Sequence, residues 1–157
     1  MNYLEALAAE WYEYSGYFVR TNVRTRKRAK GGWDVELDVL AYLPARKELV
    51  HIETSGDADS WNQRRQRMLT KKFVLSKQEY EDLLGCQIDH LRRIALLGWT
   101  RSIKEVQHWG EGIEVELIPS FLQRIADTLK ERDPMKQAVP EGYPILRSMQ
   151  MMVGFCD

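Results

Sequence analysis

GGWDVELDVLAYLPARKELVHIETS, residues 31–55, decides the fold. Its first half alternates, with Trp33, Val35, Leu37 and Val39 on one side and Asp34, Glu36 and Asp38 on the other. That period of two predicts a strand with one face packed inward and the other collecting carboxylates. Pro44 to Lys47 break the run as a turn, and Glu48 to Ser55 resume it as a buried strand whose Val50 and Ile52 oppose His51, Glu53 and Ser55. Upstream, Leu4, Leu7, Ala8, Trp11 and Tyr14 recur at helical spacing, so residues 2–15 are expected to form an amphipathic helix ended by Gly16. The stretch from Tyr17 carries β-formers and then a basic run, and Gly31-Gly32 turns it into the next strand as a hairpin.

Downstream, Asp57 or Asp59 is expected to cap a helix running to about Phe73. Trp61, Met68 and Leu69 would face inward there, and Arg64, Arg65, Arg67, Lys71 and Lys72 outward. A short helix near Lys77–Leu84 follows, then strands over Arg93–Trp99 and Gly112–Ile118 and a helix over Pro119–Glu131 with proline at its start. The tail PILRSMQMMVGF reads as an apolar helix on the body, compatible with a homodimer. The pattern is that of an α/β protein: one domain over residues 1–157, with a C-terminal helical extension from about 119.

No run approaches the roughly eighteen apolar residues of a membrane span, and Glu5, Glu10 and Glu13 interrupt the first apolar stretch, so neither membrane partner nor signal peptide is expected. Cys86 and Cys156 show neither metal-ligand spacing nor a disulfide framework and read as reduced thiols of a cytoplasmic protein. Acids and bases balance at 23 each, which argues against a histone-like coat of DNA affinity. The charge is nonetheless uneven: residues 1–19 sum to −3, residues 20–104 to +7 and residues 105–157 to −4. A local basic face can follow a phosphate backbone even so.

Glu36 and Asp38 share one strand face, and Glu53 and Ser55 share a face of its neighbour. Crowded carboxylates repel one another and are tolerated where a hard cation neutralises them, so this pattern calls for Mg²⁺ or Mn²⁺. The order of Glu10 on a helix, then GYFVRTNV, GGWDVELDVLAY and LVHIETS, resembles the PD-(D/E)xK nuclease superfamily, its resolvase-like branches especially. That resemblance implies a restriction-endonuclease-like core: a central mixed β-sheet flanked by helices, in the order helix, strand, strand, strand, helix, strand. It also implies metal-dependent hydrolysis of DNA phosphodiesters, with Asp38, Glu53 and Glu10 on the metal and Glu36 as the acid often preceding the motif aspartate.

The family's Glu-x-Lys lysine is here Ser55, a short uncharged group that cannot replace a cation. Some superfamily members supply the missing group from another element, and the start of the following helix offers Gln63 with Arg64 or Arg65. Lys72 lies thirteen residues beyond Asp59, about 20 Å along a straight helix, so it would reach the metal only on an inward-bent path. The basic residues Arg20, Arg24, Arg26, Lys27, Arg28 and Lys30 read either as a solvated hairpin or, given the nearby acids, as phosphate contacts joined by Arg64 and Arg65. His51 reads as a structural hydrogen-bonding residue, outside the site. Two functions stand at this point: a DNA endonuclease, or a catalytically silent relative acting as a DNA-binding or assembly module, which Ser55 would favour.

Overall fold

A computed structural model describes residues 1–98, 109–110 and 112–156. Helix α1 (Tyr3–Tyr14) opens with a capping box between Asn2 and Glu5. Strands β1 (Phe18–Lys27), β2 (Trp33–Leu43) and β3 (Glu48–Ser55) follow, the last two joined by a 3-10 turn at Pro44–Arg46. Then come helix α2 (Trp61–Arg67), a π-helical turn (Met68–Lys72), helix α3 (Lys77–Leu84) and strand β4 (His90–Leu97). Strand β5 (Ile113–Leu117) and helices α4 (Ile118–Lys130) and α5 (Pro144–Phe155) complete the order. The expected end of the fourth strand at Trp99 lies outside the described residues.

The five strands form one mixed sheet in chain order. β1, β2 and β3 pair antiparallel, whereas β3, β4 and β5 pair parallel. The parallel step from β3 to β4 requires a crossover, which α2, the π turn and α3 supply. One sheet face packs Val39, Val50, Ile52 and Leu96 against Leu7 and Trp11 of α1, Phe121 and Ile125 of α4 and Leu146 of α5. The other packs Leu37, Leu40 and Leu49 against Leu75, Tyr80 and Ile88, and Ala95 and Leu97 against Met68 and Phe73. The chain is thus an α/β protein whose mixed sheet is covered by helices on both faces. Among the described residues no helix is long and apolar enough to cross a membrane.

The expected inward face of β2 fails at two places: Trp33, at the start of the strand, is exposed, and the alternation breaks at Asp38. Val35 and Leu37 join the core beneath Tyr80, whereas Val39 and Ala41 join the core beneath α1, so the strand turns over at Asp38. β1 turns over beside it: Val19 packs toward α1 and Val23 toward Tyr80. Between the pairs Thr21–Val39 and Val23–Leu37 stands Asn22 with φ +51°, a left-handed conformation that asparagine tolerates better than most residues. Pairing of β2 with β3 begins only at Val39–Ile52, so Asp38 is free of that ladder.

Candidate active site

Freed from strand pairing, the Asp38 amide donates to Glu53 Oε1 at 3.1 Å, and the Thr54 amide donates to Asp38 Oδ2 at 3.0 Å. Each carboxylate thus serves the backbone next to the other, which locks the two acids side by side. Asp38 is 9% exposed and Glu53 fully buried, so neither has much water to stabilise its charge. Lys72 supplies the compensation: its Nζ lies 2.9 Å from Asp38 Oδ1 and 2.7 Å from Glu53 Oε2. The buried Oε2 thus has the Lys72 ammonium as its partner.

The π turn is what carries Lys72 there. Beyond Arg67 the helix widens, the Phe73 amide reaching back five residues to the Met68 carbonyl at 2.9 Å. Met68, Phe73 and Leu75 are buried and pin this turn to the sheet. The expectation that Lys72 points outward is therefore corrected, because a straight helix was the wrong geometry. Gln63, expected to orient a water in the lysine's place, instead accepts from the Ser60 amide at 2.9 Å as half of the capping box of α2. Arg64 is buried on Asp57 rather than outward, and Arg65 is exposed. Ser55 Oγ donates to Asp57 at 2.8 Å and accepts from Arg67 at 3.0 Å, so it belongs to an ion-paired loop at the end of β3.

Glu10 has a different place from the one expected. Its Oε2 accepts from the amides of Ile145 and Leu146, both at 3.0 Å, capping the first turn of α5. α1 covers the sheet face that Val50 and Ile52 line, while His51 and Glu53 alternate with them on β3 toward the opposite face. Among the described residues no three His, Cys, Asp or Glu side chains are grouped to hold a metal, so the acid pair stands without Glu10. Glu10→Ala should lower unfolding free energy by about 1–2 kcal/mol, the scale of a lost cap, and leave Mn²⁺ affinity unchanged. Urea titration beside calorimetry checks both, and a loss of metal affinity would return Glu10 to the site.

Electrostatics follow from the burial. Burial, and then the neighbouring Glu53 charge, push the Asp38 carboxyl up. Burial also works to raise Glu53, but the hydrogen bond from His51 and the charge of Lys72 outweigh it and hold that carboxyl below its ordinary value. Burial likewise opposes the Lys72 charge, yet the two carboxylates prevail and keep its ammonium above the usual lysine value. Lys72 is consequently held as a cation between the two carboxylates. His51, read from sequence as structural, bridges Glu53 Oε1 through Nε2 at 2.7 Å and the Tyr80 hydroxyl through Nδ1 at 2.7 Å.

The basic hairpin is less bare than its sequence implied. Arg24 pairs with Glu36 at 2.9 Å, Arg26 with Glu79 at 2.8 Å, and Arg28 with Asp34. Arg20, Lys27 and Lys30 are exposed. A cleft of about 510 Å³ opens beside Thr54 to Asp57, between the start of α1 and Ile118. It adjoins the acid pair through Thr54, but none of Asp38, Glu53 and Lys72 lines it, so the carboxylates and lysine define the site by their chemistry and not by a cavity.

No family model matches the chain, and no curated protein matches it. A crystal structure of a protein of unknown function, AF1548, superposes over 96% of this chain and 97% of its own with a TM-score of 0.50 and 11% sequence identity, a likeness of fold alone.

Proposed function

We propose that this chain is a metal-dependent nuclease of the restriction-endonuclease-like, PD-(D/E)xK type, hydrolysing DNA phosphodiester bonds. The observation that carries the reading is the Lys72 ammonium held on both Asp38 and Glu53. Two strand carboxylates and one lysine are the groups the resemblance calls for, with the lysine delivered by the π turn in place of Ser55. The alternative, a silent relative acting as a DNA-binding or assembly module, rested on the missing lysine, and Lys72 on both acids weighs against it.

Asp38 and Glu53 would hold Mg²⁺ or Mn²⁺. The fit rests on their oxygen chemistry and on two buried carboxylates held side by side that already draw a cation, the Lys72 ammonium, onto Asp38 Oδ1 and Glu53 Oε2. Mg²⁺ is usually bound by one or two carboxylates, with water and phosphate completing its shell, so a third acid is not required. Such an ion would supply charge neutralisation at the phosphate and activation of water. Lys72, ion-paired with both acids, would offer its positive charge to the phosphoryl oxygens. The exposed Arg20, Lys27 and Lys30 suit contacts to the phosphate backbone.

Incubation with supercoiled, linear and branched DNA in Mg²⁺, Mn²⁺ or EDTA tests the reading. Cleavage is expected with either metal, none in EDTA and none by Asp38→Ala. Calorimetry should show Mn²⁺ bound by the parent and not by the Asp38→Ala, Glu53→Ala double variant. DNA bound but uncut with every metal would replace the nuclease by a binding module.

A further inference from the structure

We infer that His51, anchored by Tyr80, is a positioning residue that aims Glu53 at the bound cation. This rests on the metal-site reading above and adds to it a residue with no direct access to substrate. His51 and Glu53 have fully buried side chains two residues apart on β3, so they share a face of the strand. Nε2 donates to Glu53 Oε1 and Nδ1 meets the Tyr80 hydroxyl at 2.7 Å, so both ring nitrogens are held and the ring cannot turn. Oε1 receives both His51 and the Asp38 amide, which leaves Oε2 as the oxygen that faces the Lys72 cation. The two oxygens of Glu53 are thereby given separate tasks.

His51 also braces the lysine. Its ring meets Phe73 edge-on at 4.9 Å between centroids, and Phe73 is the residue that follows Lys72. Tyr80 meets the same ring at 5.6 Å and is itself fully buried, with the Arg93 guanidinium over its face at 5.9 Å. Both ring nitrogens of this buried histidine are paired, as burial requires, and one of the two partners is the carboxylate proposed to hold the metal. Groups that orient metal ligands in this way typically change metal affinity about 10–100-fold when removed.

The test measures Mn²⁺ itself on the full chain, by calorimetry and by the rise in melting temperature that saturating Mn²⁺ produces, for the parent, His51→Leu, His51→Gln and Tyr80→Phe. His51→Leu should weaken Mn²⁺ binding by roughly 10–100-fold and shrink the metal-induced rise. His51→Gln, which can still donate to Glu53, should recover part of both. Tyr80→Phe keeps the ring and removes the hydroxyl, so it should weaken binding by a smaller factor and decides alone if the leucine variant does not fold. A purely structural histidine would lower the metal-free melting temperature and leave the metal-induced rise intact, which overturns the inference. A parent that binds no Mn²⁺ overturns the metal site and this role together, whereas a parent that binds with variants of equal affinity overturns this role alone.

Discussion

Lys72→Met is expected to reduce single-turnover cleavage of saturating DNA by roughly a hundredfold or more, with little change in DNA affinity. Methionine keeps the unbranched stem and most of its packing against the π turn, so what is lost is the charge between Asp38 and Glu53. That charge lies beside the reacting phosphate in the proposed nuclease and interacts with the phosphoryl oxygens most strongly as negative charge develops on them. Lys71, its exposed neighbour, serves as the control: alanine there should leave turnover near the parental value. Equal losses at both positions would mean that the lysines act through general electrostatics. A parental rate in Lys72→Met would remove the ion triad from the chemistry.

The same substitution should lower unfolding free energy by about 2–3 kcal/mol at neutral pH without metal. A fully buried pair broken by loss of one partner costs about 3–5 kcal/mol, and the smaller figure reflects the partial exposure of Lys72. Its pH dependence follows from the three shifts. The ammonium of Lys72 is held above its ordinary value, so its contribution is present below the unfolded lysine value and fades as pH rises through the folded one. Glu53 is held below its ordinary value, so its contribution is present above the unfolded carboxyl value and fades as pH falls. Asp38 runs the other way, since its raised value makes its ionisation oppose folding as pH rises through the carboxylate range. The difference between parent and variant should therefore be greatest between the carboxylate range and about pH 10, and shrink as pH rises through the folded Lys72 value or falls through that of Glu53. Urea unfolding across that range measures it, and a deficit independent of pH would trace the loss to packing of the stem.

Local chemistry determined much of this protein from sequence. The period of two in VELDVLAY and ELVHIETS and the 3.6 period around Leu7 and Trp11 are patterns among near neighbours, which sequence carries directly, although the cap of α2, expected at Asp57 or Asp59, is Ser60 with Gln63 closing a capping box. They fixed the existence and order of the strands and helices, and they put Asp38 and Glu53 on adjoining strands. What only the tertiary structure decided depends on contacts between distant residues. Asp38 joins Glu53 because β1 and β2 turn over together at Asn22 and Asp38, a register effect that the alternation of β2 alone misassigned. Glu10 went to the first turn of α5, more than a hundred residues away in sequence, because unpaired helix amides attract a carboxylate as readily as a metal does. Lys72 reached the acids because buried Met68 and Phe73 hold a π turn that shortens and redirects the helix, whereas spacing along an ideal helix placed it about 20 Å away. Burial then decided the rest: two carboxylates removed from water require a cation, and the fold brought the lysine whose stem was long enough to bridge them.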